Sequence, residues 1–384
     1  MKAEARKGPL AGIRVLEVSH MLAGPYCGML LADLGADVVK IETPGTGDIG
    51  RQIGPHYIGR HNAYFASLNR NKRSVVLDLA SVEGQQALAL LVAESHALLT
   101  NLRPSAIRKL GLTYDALRAH NERIVCLALT GYGLDGPYSE LPAYDYVIQA
   151  LAGVMALTGE PDGPPVKTGY SVVDNSAGIM GGLALLAKLV EGKGGQLDVS
   201  LYDTLMSQLN YVASAYLNGA QKPERYAGGG HPFIVPAQLF RTRDGHLALF
   251  ITHDKFWESF AREVGHPEWL EDPRFATMAG RSANRSAVVA AIGAVLADDT
   301  NAHWVGRLAP LGIVVAGVQT LDAALESDLT RDRAMVVTIR TAADGDIRVV
   351  GNPIKCSGFA TEYRAPPLLG EHNAELGCGT EAGT

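Results

Sequence analysis

Cysteine is scarce in this chain. Four are spread over 384 residues, Cys27, Cys126, Cys356 and Cys378, with no C-x-x-C pair among them. Such spacing suits reduced thiols in a cytoplasmic protein better than a disulfide framework or a zinc site. Positive charge is also in short supply: 34 Lys and Arg face 40 Asp and Glu, a formal net charge of −6. That leaves no basic footprint for nucleic acid, although a local basic pocket for a phosphorylated ligand is compatible with it. The longest apolar runs are interrupted by Gly, Lys or Asp, so none is expected to span a membrane. Residues 1–10 have no apolar core, and no secretory signal is expected there. The first strand-to-helix turn lacks G-x-G-x-x-G, which argues against a nicotinamide dinucleotide site. Gly192-Lys-Gly-Gly195 lacks P-loop spacing and a following Ser or Thr, and reads as a helix stop plus a turn. No fixed-period repeat and no low-complexity segment is visible.

What is present is a globular composition. Hydrophobic residues make up 47% and charged residues 19%, so the chain can bury a large core and hold two domains. In the first half, β-branched apolar stretches alternate with helical spacing. Ile13–Val18, Asp37–Glu42, Ser74–Leu79, His96–Thr100, Arg123–Leu129 and Gln196–Leu201 read as strands. Tyr26–Leu34, Val82–Glu94 and stretches near Ser105–Leu110 and Tyr114–His120 read as helices. This alternation predicts an α/β fold with an open, Rossmann-like parallel sheet and ligands at the carboxyl ends of its strands. After about residue 220 the character changes. Pro223–Pro232 is rich in breakers and reads as a linker or mobile loop; a hairpin turning at Arg243–His246 and three helical stretches follow. The expected organisation is a large α/β domain over 1–224, a smaller α+β domain over 225–328, and a segment 329–384 that returns to the large domain.

One acidic side chain stands out. Asp174 heads the apolar run Ile179–Val190, which is long enough for a helix, and Gly178, Gly181 and Gly182 would let another backbone approach closely. Two roles fit the position. Asp174 caps the helix, its carboxylate accepting orphan backbone N–H groups. Or it is a nucleophile aimed at a carbonyl carbon and kept ionised by those same groups.

Several blocks then occur in order. They are Leu22-Ala-Gly-Pro25, the stretch Leu31–Glu42, Asn69-Arg-Asn-Lys-Arg-Ser74, Leu77-Asp-Leu79, Asn101-Leu-Arg-Pro104, Thr130-Gly-Tyr-Gly133, Tyr144-Asp145 and the Asp174 block. Together they resemble the family III CoA-transferases nearly end to end, from Leu10 to His372. The resemblance implies an interlocked homodimer whose chains thread through each other. It implies coenzyme A bound as the acyl-CoA substrate, a small carboxylic acid as its partner, and no metal. It makes Asp174 the catalytic carboxylate. It places the CoA groove at Leu22, Ala23, Thr43, Leu77, Leu79, Ala80, Asn101, Leu102, Arg103, Lys109, Tyr144 and Asp145. It also makes Gly228, Gly229 and Gly230 a mobile loop over the substrate, where the composition alone reads as a flexible linker. Thr43 and Ala80 depart from the oxalate-type enzymes, which carry Arg and Lys there. Cations for the phosphates are therefore sought first at Arg103 and Lys109, then at Lys72 and Arg73, a pair that equally fits a solvated surface. The implied reaction moves CoA between a thioester and a free acid through an aspartyl intermediate, with succinate, itaconate, mesaconate or malate as leading acids. The superfamily also holds α-methylacyl-CoA racemases, which need a His beside an Asp in the block before the catalytic Asp. Tyr144 stands there instead, and its phenol is a poor base at neutral pH, so racemisation is the second reading. A non-catalytic acyl-CoA-binding protein is the third; binding alone has no need of a carboxylate beside the thioester.

Overall fold

The computed structural model describes residues 7–378. Its main sheet has six parallel strands: β1 (Arg14–Val18), β2 (Asp37–Glu42), β3 (Arg73–Val76), β4 (Ala97–Thr100), β5 (Val125–Thr130) and β6 (Gly195–Ser200). Their order is β3-β2-β1-β4-β5-β6. Helices α1 (Ala23–Asp33), α2 (Ala63–Asn69), α3 (Val82–Ala93), α4 (Pro104–Lys109), α5 (Asp145–Leu151) and α6 (Val172–Glu191) connect and cover it. Side chains alternate along a strand, so Val15 and Leu16 face opposite layers. Leu16, Val18 and Ile41 pack on Leu88 and Leu91 of α3 and Ile107 of α4. Val15, Val38 and Leu127 pack on Leu31 of α1 and Leu185 of α6. Each such side chain, fully buried, contributes roughly 1.5–3 kcal/mol. Cover on both faces is why β4 and β5 are apolar almost without interruption. The strand order reverses at β1, with β2 and β3 on one side and β4 to β6 on the other. The carboxyl ends of β1 and β4 therefore flank a crevice, the position where open sheets of this kind bind ligands.

Glycine sets how closely α6 sits. A Cβ at Gly178 would lie 2.8 Å from the Ala23 carbonyl oxygen, and one at Gly181 would lie 2.8 Å from a Leu129 methyl. The backbone approach anticipated from those residues is present. The same helix corrects another expectation: its 20 residues have the length and composition of a membrane span. Gly181, Gly182 and Lys188 interrupt the apolar run without interrupting the helix. Its inner face, including Val173, Ala177 and Leu185, is buried against protein.

Contacts divide the chain into two compact units. Of the described residues, one holds 7–152, 169–210 and 327–378; the other holds Gly153–Thr168 and Tyr211–Glu326. Segments 153–168 and 211–224, expected with the large domain, therefore belong with the smaller unit. Local hydrogen bonds explain this. Arg225 Nη1 donates to the carbonyls of Glu160 and Gly163 at 2.9 and 2.8 Å, and Gly228 N–H donates to the Glu160 carboxylate at 3.0 Å. Pro223–Pro232 is accordingly anchored and not a free linker. Arg285 adds a bond to the His231 carbonyl and lies 4.3 Å above the Tyr226 ring. The smaller unit is an antiparallel sheet of Val314–Gly317, His246–Phe250 and Ala237–Arg241 beside a core that includes Trp257, Phe260 and Trp304.

Candidate active site

From Val18 at the end of β1 the chain turns through Ser19-His20-Met21-Leu22 into α1. Asn101 follows β4 on the other side of the crevice. Its Oδ1 accepts from the His20 N–H at 3.0 Å and its Nδ2 donates to the His20 carbonyl at 2.8 Å. The two strand ends are thereby joined. Glu17, Lys40, Asp48 and Lys72 form a buried ion cluster beside this turn. Lys40 Nζ lies 2.8 Å from Glu17 Oε1 and from Asp48 Oδ2, and Lys72 Nζ lies 2.8 Å from Glu17 Oε2. Glu17 Oε2 and Asp48 Oδ2 make no hydrogen bond of ordinary geometry; the ammonium groups satisfy them. Burial works against the charge on Lys40, but Glu17, Asp48 and Glu42 together outweigh it and hold its pKa above the lysine norm. Burial likewise works against ionised Glu17 and Asp48, and the neighbouring ammonium groups hold both below the carboxylate norm. For Lys72 burial prevails over Glu17 and brings it down to about 8. Two carboxylates facing two ammonium groups are the pairing a buried cluster needs.

Lys72 is therefore neither a cation on offer to phosphate nor a solvated residue, since it also donates to Pro25 O and Asn69 Oδ1. Arg73 is engaged by Asp37 and Glu375.

Asp174 lies in the first turn of α6, one turn before the Gly178 contact with α1. The N-cap residue, Ser171, provides no side-chain cap. Asp145, the first residue of α5, does so from outside the helix. Its Oδ2 accepts from the Val173 N–H at 2.7 Å and from the Asp174 N–H at 3.4 Å, and its Oδ1 accepts from Gln149 at 2.6 Å. The capping role considered for Asp174 thus falls to Asp145. Among the described residues nothing donates a hydrogen bond to the Asp174 carboxylate. Burial, and after it the Asp145 charge, raise its pKa to about 7. Tyr64 on α2 senses the same charge: burial, then Asp174 and Asp48, push its phenol up to about 12. The arrangement offers a carboxylate free of hydrogen bonds and a phenol that stays protonated, able to donate to an oxyanion. Among the described residues no group of three or more His, Cys, Asp or Glu is placed to hold a metal.

Residues 10–373 match the family model for CoA-transferase family III. The chain belongs to that family. It is similar to the acetyl-CoA:oxalate CoA-transferase of Acetobacter aceti, at 34% identity over 96% of this chain and 95% of that protein. It is similar to the succinyl-CoA:glutarate CoA-transferase of Mus musculus, at 32% identity over 96% of this chain and 85% of that protein. The crystal structure of a CAIB/BAIF family protein from Brucella suis superposes with a TM-score of 0.84 at 32% identity, covering 97% of this chain and 99% of that one. The protein is accordingly an enzyme of the CoA-transferase class.

Several residues expected to line the CoA groove of this transferase cluster at the sheet's carboxyl edge. Leu22 and Ala23 follow β1, Thr43 follows β2, Leu77, Leu79 and Ala80 follow β3, and Asn101, Leu102 and Arg103 follow β4. Leu77 and Leu79 are buried in the core, so only their backbone is available to a ligand. Thr43 and Ala80 are exposed. Arg103 and Lys109 are exposed and have no ion pair among the described residues, whereas Arg108 is held by Asp135 and Glu140. Tyr144 is 66% exposed and Asp145 is turned inward. Its carboxylate oxygens accept from the α6 N–H groups and from Gln149, which leaves its backbone as the part on offer to a ligand. Gly228, Gly229 and Gly230 belong to the smaller unit. Gly228 and Gly229 have φ of 65°, and a Cβ at Gly228 would lie 2.6 Å from the Leu239 carbonyl oxygen. Tyr64 and Asp48 were not anticipated. Asp48 has a weak signal, a lone acid in the loop after a strand's carboxyl end; Tyr64 has none.

Proposed function

We propose that this enzyme moves CoA from an acyl-CoA to a small dicarboxylate through a mixed anhydride on Asp174. The observation that carries this reading is the division of labour at the start of α6: Asp145 caps the helix, and the Asp174 carboxylate is left without a hydrogen-bond donor. Ionised Asp174 attacks the thioester carbonyl, the C–S bond breaks, and CoA leaves as the thiolate. The thiolate attacks the aspartyl carbonyl, which releases the donor acid and forms an aspartyl thioester. The acceptor carboxylate attacks that thioester, CoA leaves again, and its attack on the acceptor's carbonyl frees Asp174. Tyr64 is the donor suited to the oxyanions. Arg103 and Lys109 are the uncommitted cations suited to the CoA phosphates. Relatives named for oxalate and glutarate support a dicarboxylate acceptor. The test incubates the purified protein with succinyl-CoA and a panel of carboxylic acids, with new CoA esters read by mass spectrometry. Absence of any new ester from a dicarboxylate would refute the substrate class.

The nucleophile must be ionised, so kcat/KM is expected to rise with pH through about 7, the value to which Asp174 is raised. Asp145→Asn removes a negative neighbour while keeping an oxygen for the α6 N–H groups. The rising limb should therefore move to lower pH in that variant. A limb that stays where it was would separate Asp145 from the nucleophile's titration.

The interlocked homodimer belongs to the same proposal. Apolar surface left open by one chain supports it: Ile179, Leu183 and Val190 on α6 are 54%, 61% and 89% exposed, and the helix Asn210–Gly219 buries none of its residues. Threaded chains cannot separate without opening, so dilution should yield no folded monomer. Light scattering that detected a folded 40.7 kDa species would refute this.

A further inference from the structure

The turn between β1 and α1 is strained, and side chains from the segments after β2 and β4 and from β2 itself bond to it. Met21 has φ of 67°, a left-handed conformation that a side chain of its size rarely adopts and that costs on the order of 1–3 kcal/mol. Its N–H donates to Asp48 Oδ1 at 3.0 Å, and the same oxygen accepts from the Gly50 N–H at 2.8 Å. The other carboxylate oxygen of Asp48 is on Lys40, which also donates to the Ser19 carbonyl at 2.9 Å. Asn101 takes both backbone groups of His20. The first turn of α1 is pressed onto the same residues: a Cβ at Gly24 would lie 2.5 Å from Ser19 Cβ and 3.3 Å from Asn101 Cγ. No other anchor for the Met21 N–H is present among the described residues. Loss of that anchor would leave the strain at residue 21 opposed by no bond of its own, and a shift there would pass to Leu22 and Ala23, which continue the turn.

We infer that Asp48, itself fixed by Lys40, is a positioning residue that holds the strained turn at Met21 and thereby shapes the part of the CoA groove formed by Leu22 and Ala23. This rests on the reading of that edge of the sheet as the CoA groove. Asp48 acts through a backbone N–H and touches no reacting atom. A purely structural residue would change stability alone; a positioning residue changes ligand affinity in a way that the conformational freedom of residue 21 controls.

The test is calorimetric titration of CoA into the wild type, Asp48→Ala, and Asp48→Ala combined with Met21→Gly. Glycine occupies positive φ without strain, so it should keep the turn without its anchor. Asp48→Ala is expected to weaken CoA binding at least tenfold, and added Met21→Gly to recover most of that loss. If Asp48→Ala alone fails to fold, the proposal requires Met21→Gly to restore both folding and CoA binding. Wild-type affinity in Asp48→Ala, or no recovery on adding Met21→Gly, overturns it. So does a double variant that stays unfolded, which would make Asp48 a fold residue only. Binding is read without turnover, so the result is independent of Asp174; a wild type that fails to bind CoA would instead remove the groove reading.

Discussion

Asp174→Asn is expected to fold, bind acyl-CoA, and turn over more slowly by several orders of magnitude. Asn keeps the volume of the side chain and removes the anion. The cap on α6 is untouched, because Asp145 supplies it. The covalent route disappears instead of weakening, which is why the loss should be large. Stability should move the opposite way. The Asp174 pKa is about 7 in the folded chain and near ~3.9 when unfolded. A carboxyl whose folded pKa is raised favours folding below its unfolded pKa, and that advantage is lost as pH rises through the folded value. Wild type thus carries an ionised, desolvated carboxylate at pH above 7 that the Asn variant lacks. Thermal melts should show the variant more stable on the alkaline side of 7, with the gap closing as pH falls toward ~4. Hydroxylamine added with acyl-CoA should modify the peptide carrying residue 174 in wild type and leave it unmodified in the variant. A folded Asp174→Asn protein with near-normal transfer activity would refute the mechanism.

The sheet was legible because its code is local. Apolar β-branched runs between helical stretches reproduce β1 to β6 within a few residues at each end, and two covered faces explain why those runs are so continuous. The division of labour at α6 was not legible. Asp145 and Asp174 are 29 positions apart, and spacing cannot say which carboxylate turns toward the helix N–H groups. Lys72 shows the same limit. It lies in the charged run Asn69–Ser74, which fits a phosphate site and a solvated surface equally, yet its partner Glu17 on β1 takes it inside. Breakers misled as well: Pro223–Pro232 is held by Arg225, Glu160 and Arg285, contacts that depend on distant segments. Long-range pairing of polar groups is what the pattern of a sequence omits, and the candidate site is built largely from it.

Lys40 should be the most costly residue to neutralise. It is fully buried and contacts both Glu17 and Asp48 at 2.8 Å. Lys40→Met keeps much of the aliphatic stem and removes the charge. Glu17 then retains Lys72, while Asp48 retains only backbone donors for a buried negative charge. Removing one partner of a buried pair typically costs about 3–5 kcal/mol, far more than the pair contributes relative to a neutral replacement. The asymmetry makes a specific forecast. Lys40→Met combined with Asp48→Asn should be more stable than the sum of the two single losses allows, because the second change removes the charge that the first one orphaned. The pH dependence has a sign too. Lys40 helps hold Glu17 and Asp48 below their ordinary pKa values, a contribution present above the unfolded carboxylate range and lost as pH falls through the folded values. In Lys40→Met that contribution is largely gone, so its deficit against wild type should be greatest near neutrality and shrink below about pH 4. Urea unfolding of the four proteins at both pH values tests this. An equal deficit at the two pH values, with single losses that simply add, would place the role of Lys40 in the packing of its stem and not in its charge.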